Sequence, residues 1–257
     1  MNRFILLSFD VEEFDIPLEY NCTIDMAEQM QIGKQGLDAL LPIVNAHNVV
    51  TTMFTTANFA IHFPDGVKAM STTHEIASHT FYHTHFIDEH LLQSKQALEK
   101  IIEKPVTGLR MPRMRKVAMS EVKKAGYLYD SSINPTLLPG RYNNLHLPRT
   151  LYIDEGVQRL PASVSANFRI PLFWLSFKNL PYWWFKKMAL QTLKKDGYIC
   201  LYFHPWEFVN ITNYHLPNYI QRLCGKPLQE QLNRLIKDLK QEGEFIGMQN
   251  YCTTHAK

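Results

Sequence analysis

Short apolar runs alternate along the chain with longer stretches in which apolar residues recur at helical spacing. Phe4 to Phe9 is apolar at almost every position and predicts a buried strand. A polar stretch from Asp15 to Gly33 follows, after which Leu37, Leu40, Leu41 and Val44 predict a helix within Gln35 to His47. Val49 to Thr55 is β-branched and predicts a second strand, and Pro64 to Met70 a short loop or helix. The middle of His74 to His79 suits a brief buried strand. Asp88 then reads as the N-cap of a helix whose stripe runs through Leu91, Ala97 or Leu98, Ile101 and Ile102 before Pro105. Val106 to Leu109 is the next strand, Val117 to Ala125 a helix stopped by Gly126, and Tyr127 to Tyr129 a strand. From Ile133 to Pro181 prolines are frequent and only Val157 to Leu160 reads as a strand, which marks an irregular insertion at about 133–181. Regularity returns with a helix near Tyr182 to Lys195, Gly197 as its stop and the strand Tyr198 to Phe203. Leu228 to Gln241 is the last helix, and Phe245 to Met248 is expected to close the chain as a strand. This alternation predicts an α/β protein with a parallel sheet or barrel, whose sites lie at the C-terminal ends of the strands.

The 257 residues, 46% hydrophobic, suffice for one large core, in a single α/β domain or a pair of smaller ones, and contain no internal repeat. A formal charge of +3 with scattered basic residues gives no argument for nucleic-acid binding; the densest basic group is Arg110, Arg113, Arg115 and Lys116. Cys22, Cys200, Cys224 and Cys252 form no C-x-x-C pair and read as reduced thiols. Only about six apolar residues precede Asp10, fewer than the core of a signal peptide, so the expected location is the cytoplasm or the inner face of the membrane. The most apolar region, Ile170 to Phe185, is broken by Pro171, Lys178, Asn179 and Pro181 and does not span a bilayer.

Candidate chemistry begins where the first strand ends, at Ser8-Phe9-Asp10-Val11-Glu12. Two residues apart on an extended chain, Asp10 and Glu12 point the same way and can face one pocket. Glu13 and Asp15 follow, so a solvated acidic turn is the competing reading. His79 and His83 are four apart; on a helical turn both imidazoles would share a face and could hold one divalent metal, or they are a structural pair. Two histidines and one carboxylate make a common zinc set with a coordination position open to water. His204, at the end of the strand Tyr198 to Phe203, is either a general acid or the packed cap of that strand.

Five stretches, in order, carry a family resemblance: Ser8-Phe9-Asp10-Val11-Glu12, His74 through His83, Gly108-Leu109-Arg110-Met111-Pro112, Tyr127 through Ser132, and Phe203-His204-Pro205-Trp206. Together they resemble the polysaccharide deacetylase family, carbohydrate esterase family four with its NodB homology domain, over roughly residues 4 to 250. The resemblance implies one catalytic domain over 1–257, a distorted (β/α) barrel with fewer than eight strands, one divalent metal and removal of N-acyl groups from amino sugars. Carried over position by position, it makes Asp10 the general base, Arg110 its partner, His79 and His83 metal ligands and His204 the general acid. It gives the backbone N–H of Arg113 to the oxyanion, and substrate contacts to Arg113, Pro112, Asp130 and Trp206. Many members have adjacent aspartates where this chain has Asp10-Val11, so the third ligand falls to Glu12, as in a subset of the family. Asp130 and Asp154 are the candidates for the partner of the acid histidine.

Zinc is the expected ion, with Co2+, Ni2+ or Fe2+ accepted by the same ligand types. The expected partner is a carbohydrate substrate, free or attached to a lipid or nucleotide, with oligomeric state undetermined. The aromatic segment from Ile170 through Lys187 reads first as packing between the insertion and the barrel. Stacking on sugar rings or peripheral membrane contact through Trp183 and Trp184 is the second reading. Hydrolysis of another C–N bond by a deformylase or ring amidohydrolase, and a non-catalytic glycan-binding module, are the competing functions.

Overall fold

The computed structural model describes residues 2–255. Its strands are β1 Phe4–Val11, β2 Thr52–Thr55, β3 Glu75–Ser78, β4 Gly108–Leu109, β5 Tyr129–Asp130, β6 Leu137–Leu138, β7 Tyr142–Asn143, β8 Tyr152–Asp154, β9 Val157–Arg159, β10 Tyr198–Phe203 and β11 Glu244–Phe245. One sheet runs in the order β10-β1-β2-β3-β4-β5-β9-β8, with β11 beside the start of β1. From β10 to β9 seven successive strands are parallel, and β8 makes the eighth strand of the path, antiparallel at its edge. The sheet curls into an open, distorted barrel and forms a single domain. The gap is bridged irregularly: Ser163 N–H donates to Cys200 O at 2.8 Å, and Cys200 N–H donates to Ser163 Oγ at 2.9 Å.

Parity along β1 divides the core into two. Ile5, Leu7, Phe9 and Val11 face the helical shell, packed with residues such as Leu40, Leu98, Phe185 and Leu232. Leu6 lies inside the barrel with Phe54, Ala77, Tyr129 and Cys200. Because side chains alternate along a strand, Ser8 and Asp10 continue the inward set of Leu6. The base of the barrel is closed by the helix Met248–Thr254, whose Met248, Tyr251 and Cys252 join that inner cluster. This helix stands where the sequence predicts strand to continue as far as Met248; only Glu244–Phe245 is strand.

Register brings the strand ends together. Phe9 pairs with Phe203, Val11 with Thr55, Thr55 with Ser78, Ser78 with Leu109 and Leu109 with Asp130. The residues that follow these pairs, including His204, Glu12, His79 and Arg110, therefore emerge at one rim.

Several boundaries differ from those predicted. The first long helix begins at Met26, where the Asp25 carboxylate accepts Glu28 N–H, and runs to Ala46 despite Pro42. Its early turns bury Gln29, Gly33 and Gly36 beside Met30, so the inward face there lacks the apolar stripe that periodicity detects. Asp88 has helical dihedrals and no side-chain cap bond, so it is not the capping residue expected. The insertion also contains more order than its prolines suggested: a β6–β7 hairpin, β8 paired with β9, and a helix Trp174–Asn179.

Two glycines set how closely the first long helix approaches the rim. A Cβ on Gly33 would lie 2.5 Å from Glu12 O, and one on Gly36 would lie 2.2 Å from Pro205 O. With hydrogen at both positions, the helix backbone rests directly on the loops carrying Glu12 and His204.

Candidate active site

Asp10 is buried beside Arg110, whose guanidinium is fully enclosed in the barrel. Arg110 Nη1 donates to Asp10 Oδ1 at 2.7 Å and to Ser8 Oγ at 2.9 Å. Its Nε and Nη2 donate to Ser131 O and Ser131 Oγ, at 3.1 and 3.0 Å. The cation also lies 4.1 Å from the Phe54 ring centroid and 5.0 Å from that of Tyr202. Burial disfavours the charge, but the Asp10 carboxylate outweighs it and pushes the Arg110 pKa up, so the guanidinium keeps its charge.

Glu12 Oε2 lies 3.1 Å from His79 Nε2 and 3.0 Å from His83 Nε2. All three residues are buried, and their ligand atoms lie within 4.8 Å of one another. His79 and His83 are in the loop after β3, where Thr80 has φ 62°; this left-handed residue, not a helical turn, stacks the two rings at 5.6 Å. Second contacts fix the ring orientations. His79 Nδ1 faces Arg110 O at 2.8 Å, and since a carbonyl can only accept, Nδ1 carries the proton. His83 Nδ1 likewise faces Asp15 Oδ1 at 2.7 Å. In neutral rings both Nε2 lone pairs then point at a carboxylate oxygen. Glu12 Oε2 and His79 Nε2 are buried without a hydrogen-bond partner. Three acceptors converging on one another need a cation between them, and imidazole–imidazole–carboxylate is a donor set that divalent zinc accepts. Without one, protons substitute: burial opposes charge on His83, but Glu12 and Asp15 raise its pKa to about 9. Burial would also raise Glu12, yet the three surrounding histidines hold it well below the usual carboxylate range.

His204 ends β10 with Nε2 3.9 Å from Asp10 Oδ2. Glu207, three residues on, accepts from both the backbone N–H of His204 (2.8 Å) and its Nδ1 (3.0 Å). The other oxygen of Glu207 is 2.6 Å from Lys178 Nζ, and neither of these two side chains is exposed. Trp206 stacks on the His204 ring at 5.0 Å, and Trp174 meets the same ring edge-on at 5.0 Å. Burial pulls the His204 pKa down, but the bond to Glu207 and the charges of Glu12, Glu207 and Asp10 push it above the ordinary value. Glu207 goes the other way: Lys178 and His204 overcome the burial penalty and keep it ionised.

Asp10, Glu12, His79, His83 and His204 line one cavity of about 280 Å³ that also includes Asp15, Glu19, Arg113, Arg141, Trp174 and Tyr202. Of the expected substrate contacts, Arg113 and Trp206 line it. Trp206 is nearly inaccessible, and its indole N–H donates to Glu12 Oε1 at 3.1 Å, so it holds the carboxylate of Glu12. Pro112 and Asp130 lie outside the cavity lining. Asp130 is wholly buried and paired with Arg159 at 2.9 Å, and Asp154 binds the same guanidinium at 2.9 Å, so neither aspartate partners His204. Glu207 holds that place. Arg113 itself has φ 55° and reaches across to Asp15 Oδ2 at 2.9 Å and to Glu19.

Sequence reasoning missed Glu207, Lys178 and Asp15. Glu207 stands one residue beyond the quoted His204 motif and three after the histidine, a spacing open to a short turn. Asp15 belonged to the acidic run set aside as a solvated turn, yet Glu13 and Asp15 are 2% and 1% exposed. Glu13 accepts from Thr56 Oγ1 and Asn58 Nδ2. Lys178 gave no local signal at all. The aromatic segment divides: Phe177 and Phe185 are core, while Trp183 and Trp184 are 67% and 39% exposed. Among the described residues no helix is long and apolar enough to cross a membrane.

A family model described as polysaccharide deacetylase matches residues 21–129, a stretch that includes His79, His83 and Arg110. No curated protein matches the chain. Among solved structures, a Mycobacterium smegmatis protein assigned to the polysaccharide deacetylases aligns with TM-score 0.65 and 16% identity, covering 99% of this chain and 91% of the other. Puue allantoinase aligns with TM-score 0.65 and 15% identity, covering the same shares. The Bc1960 peptidoglycan N-acetylglucosamine deacetylase aligns with TM-score 0.54 and 15% identity, over 96% of this chain and 86% of that one. At these identities the structural likeness is one of fold, and the family model adds the sequence likeness.

Proposed function

Taking the polysaccharide deacetylase likeness as premise, we propose that this protein is a metal-dependent hydrolase that removes the N-acetyl group from an amino-sugar glycan or its lipid- or nucleotide-linked precursor. The observation that carries the reading is the convergence of Glu12, His79 and His83 beside the Asp10–Arg110 pair and His204 in one cavity. Glu12 Oε2, His79 Nε2 and His83 Nε2 would hold the ion, zinc by default. When bound, the ion supplies Lewis-acid polarisation of the acyl carbonyl and makes water a stronger acid.

The remaining steps belong to side chains of the chain. Asp10, oriented by Arg110, takes a proton from the attacking water at its carboxylate. The Arg110 forks to Ser8 and Ser131 prevent the carboxylate from turning away. His204, kept protonated by Glu207, delivers a proton from Nε2 to the departing amine nitrogen. Its Nδ1 is committed to Glu207, so Nε2 is the atom presented to the cavity. The backbone N–H of Arg113 is the proposed oxyanion donor, and Trp174, the half-buried aromatic of the cavity wall, suits the face of a sugar ring.

A second reading, opening of a cyclic amide, is favoured by the likeness to Puue allantoinase, equal in TM-score to the deacetylase likeness. Base, ligands and acid would keep their roles, because both reactions add water to an amide carbonyl. Acetate release from a panel of N-acetylated amino sugars, with hydantoin-type rings assayed in parallel and Asp10→Asn as control, separates the two. Acetate released by the native protein and lost in the variant supports the deacetylase. Ring opening without acetate release transfers the assignment to the second reading.

A further inference from the structure

The basic residues noted in the sequence outside the Asp10 pair, Arg113, Arg115 and Lys116, gather on one side of the rim. They wall a groove of about 540 Å³ that continues from the active-site cavity, Arg113, Met114, Arg141 and Tyr142 lining both. Arg159 lines its far part, so five cations and one carboxylate, Asp154, line the groove, while Asp15, Glu19 and Asp130 pair with three of the five from outside the lining. Three of the five are already oriented. Arg113 is tied to Asp15 and Glu19, Arg141 to Glu19, and Arg159 between buried Asp130 and Asp154. Arg115 and Lys116 differ. Both are exposed, and among the described residues neither has a carboxylate within ion-pair distance. Arg115 is instead drawn over the Phe86 ring, at 5.9 Å.

We infer that this groove binds a diphosphate-type oxyanion carried by the substrate beyond its acylated sugar. The inference rests on the deacetylase reading for the orientation of the sugar, and it narrows the substrate class of that site. Arg113, Arg141 and Arg159 are held in place along the wall by their carboxylates, and the two cations without one, Arg115 and Lys116, supply the charge that a neutral glycan does not require. A charged wall contiguous with the cavity places the anion next to the sugar, as in an amino sugar linked through a diphosphate to a nucleotide or a lipid.

The test uses Arg115→Ala/Lys116→Ala, which touches none of the groups assigned to base, acid or metal. Calorimetry with inorganic pyrophosphate, and KM for N-acetylglucosamine, UDP-N-acetylglucosamine and a short polyprenyl diphosphate N-acetylglucosamine, are measured for both proteins. The native protein is expected to bind pyrophosphate in a salt-sensitive manner and to show its lower KM with a diphosphate-linked sugar. The variant is expected to lose that binding and to raise this KM about tenfold or more, leaving the neutral sugar unchanged. Whichever diphosphate sugar carries the effect identifies the carrier. Absence of pyrophosphate binding by the native protein, or equal changes for neutral and charged sugars, overturns the inference. If no acetate is released from any sugar, the deacetylase reading fails while the calorimetry still decides the groove.

Discussion

Lys178 Nζ and Glu207 Oε2 lie 2.6 Å apart, with neither side chain exposed, and the opposite oxygen of the same carboxylate holds His204 Nδ1. The ammonium comes from the helix Trp174–Asn179 in the irregular insertion, the carboxylate from the turn after β10. A charge from the insertion thus keeps ionised the carboxylate that holds a barrel histidine.

Removing that carboxylate has a predictable sign. Because Glu207 raises the His204 pKa, the basic limb of the kcat/KM profile should lie above about 6.5, the ordinary histidine value. In Glu207→Gln the limb should move to lower pH, with kcat falling more than KM changes. A limb that does not move would show that His204 is not the titrating acid.

The same substitution should also cost stability, about 3–5 kcal/mol, because the Lys178 charge is left buried without its partner. Lys178→Met/Glu207→Gln removes both charges and should recover much of that loss in a urea melt. Its pH limb should stay displaced, which separates the electrostatic role from a merely structural one.

Metal content is the direct check on the ligand set. The purified protein should carry about one divalent ion per chain by elemental analysis, and His79→Ala or Glu12→Ala should carry far less. Chelation should abolish hydrolysis, and added Zn2+ or Co2+ should restore it. Asp10→Asn should keep its ion while losing roughly 100-fold or more in kcat.

The groups behind the ligands should matter in a graded way. Asp15→Asn weakens the hold on His83 Nδ1, and Trp206→Phe removes the indole donor to Glu12. Each should lower metal affinity by about 10–100-fold, read by competition with a chromophoric chelator. Unchanged affinity in both would remove these residues from the site.

Helix seating gives a prediction remote from the chemistry. Gly36→Ala places a methyl 2.2 Å from Pro205 O, a backbone atom that cannot rotate away. The expected cost is about 1–3 kcal/mol in unfolding free energy. Since Pro205 follows His204, kcat should fall as well. A melting temperature equal to that of the native protein would mean that the helix shifts freely.

The sequence by itself determined the alternating architecture, because apolar runs and helical stripes are local patterns set by burial. It also determined Asp10, Glu12, His79, Arg110, His83 and His204 as candidates, since each sits within a short motif at a strand end. Parallel register explains why these converge: aligned strands deliver the residues after Phe9, Ser78, Leu109 and Phe203 to one rim. Only the tertiary structure decided what stands behind them. Asp15 looked like part of a solvated turn until the fold buried it against His83, and Asp130 looked available until Arg159 claimed it. Lys178, 26 residues before His204, belongs to an insertion without periodicity, and only packing brings it to Glu207. Ion pairs of this kind depend on distance in space, to which periodicity along the chain is blind.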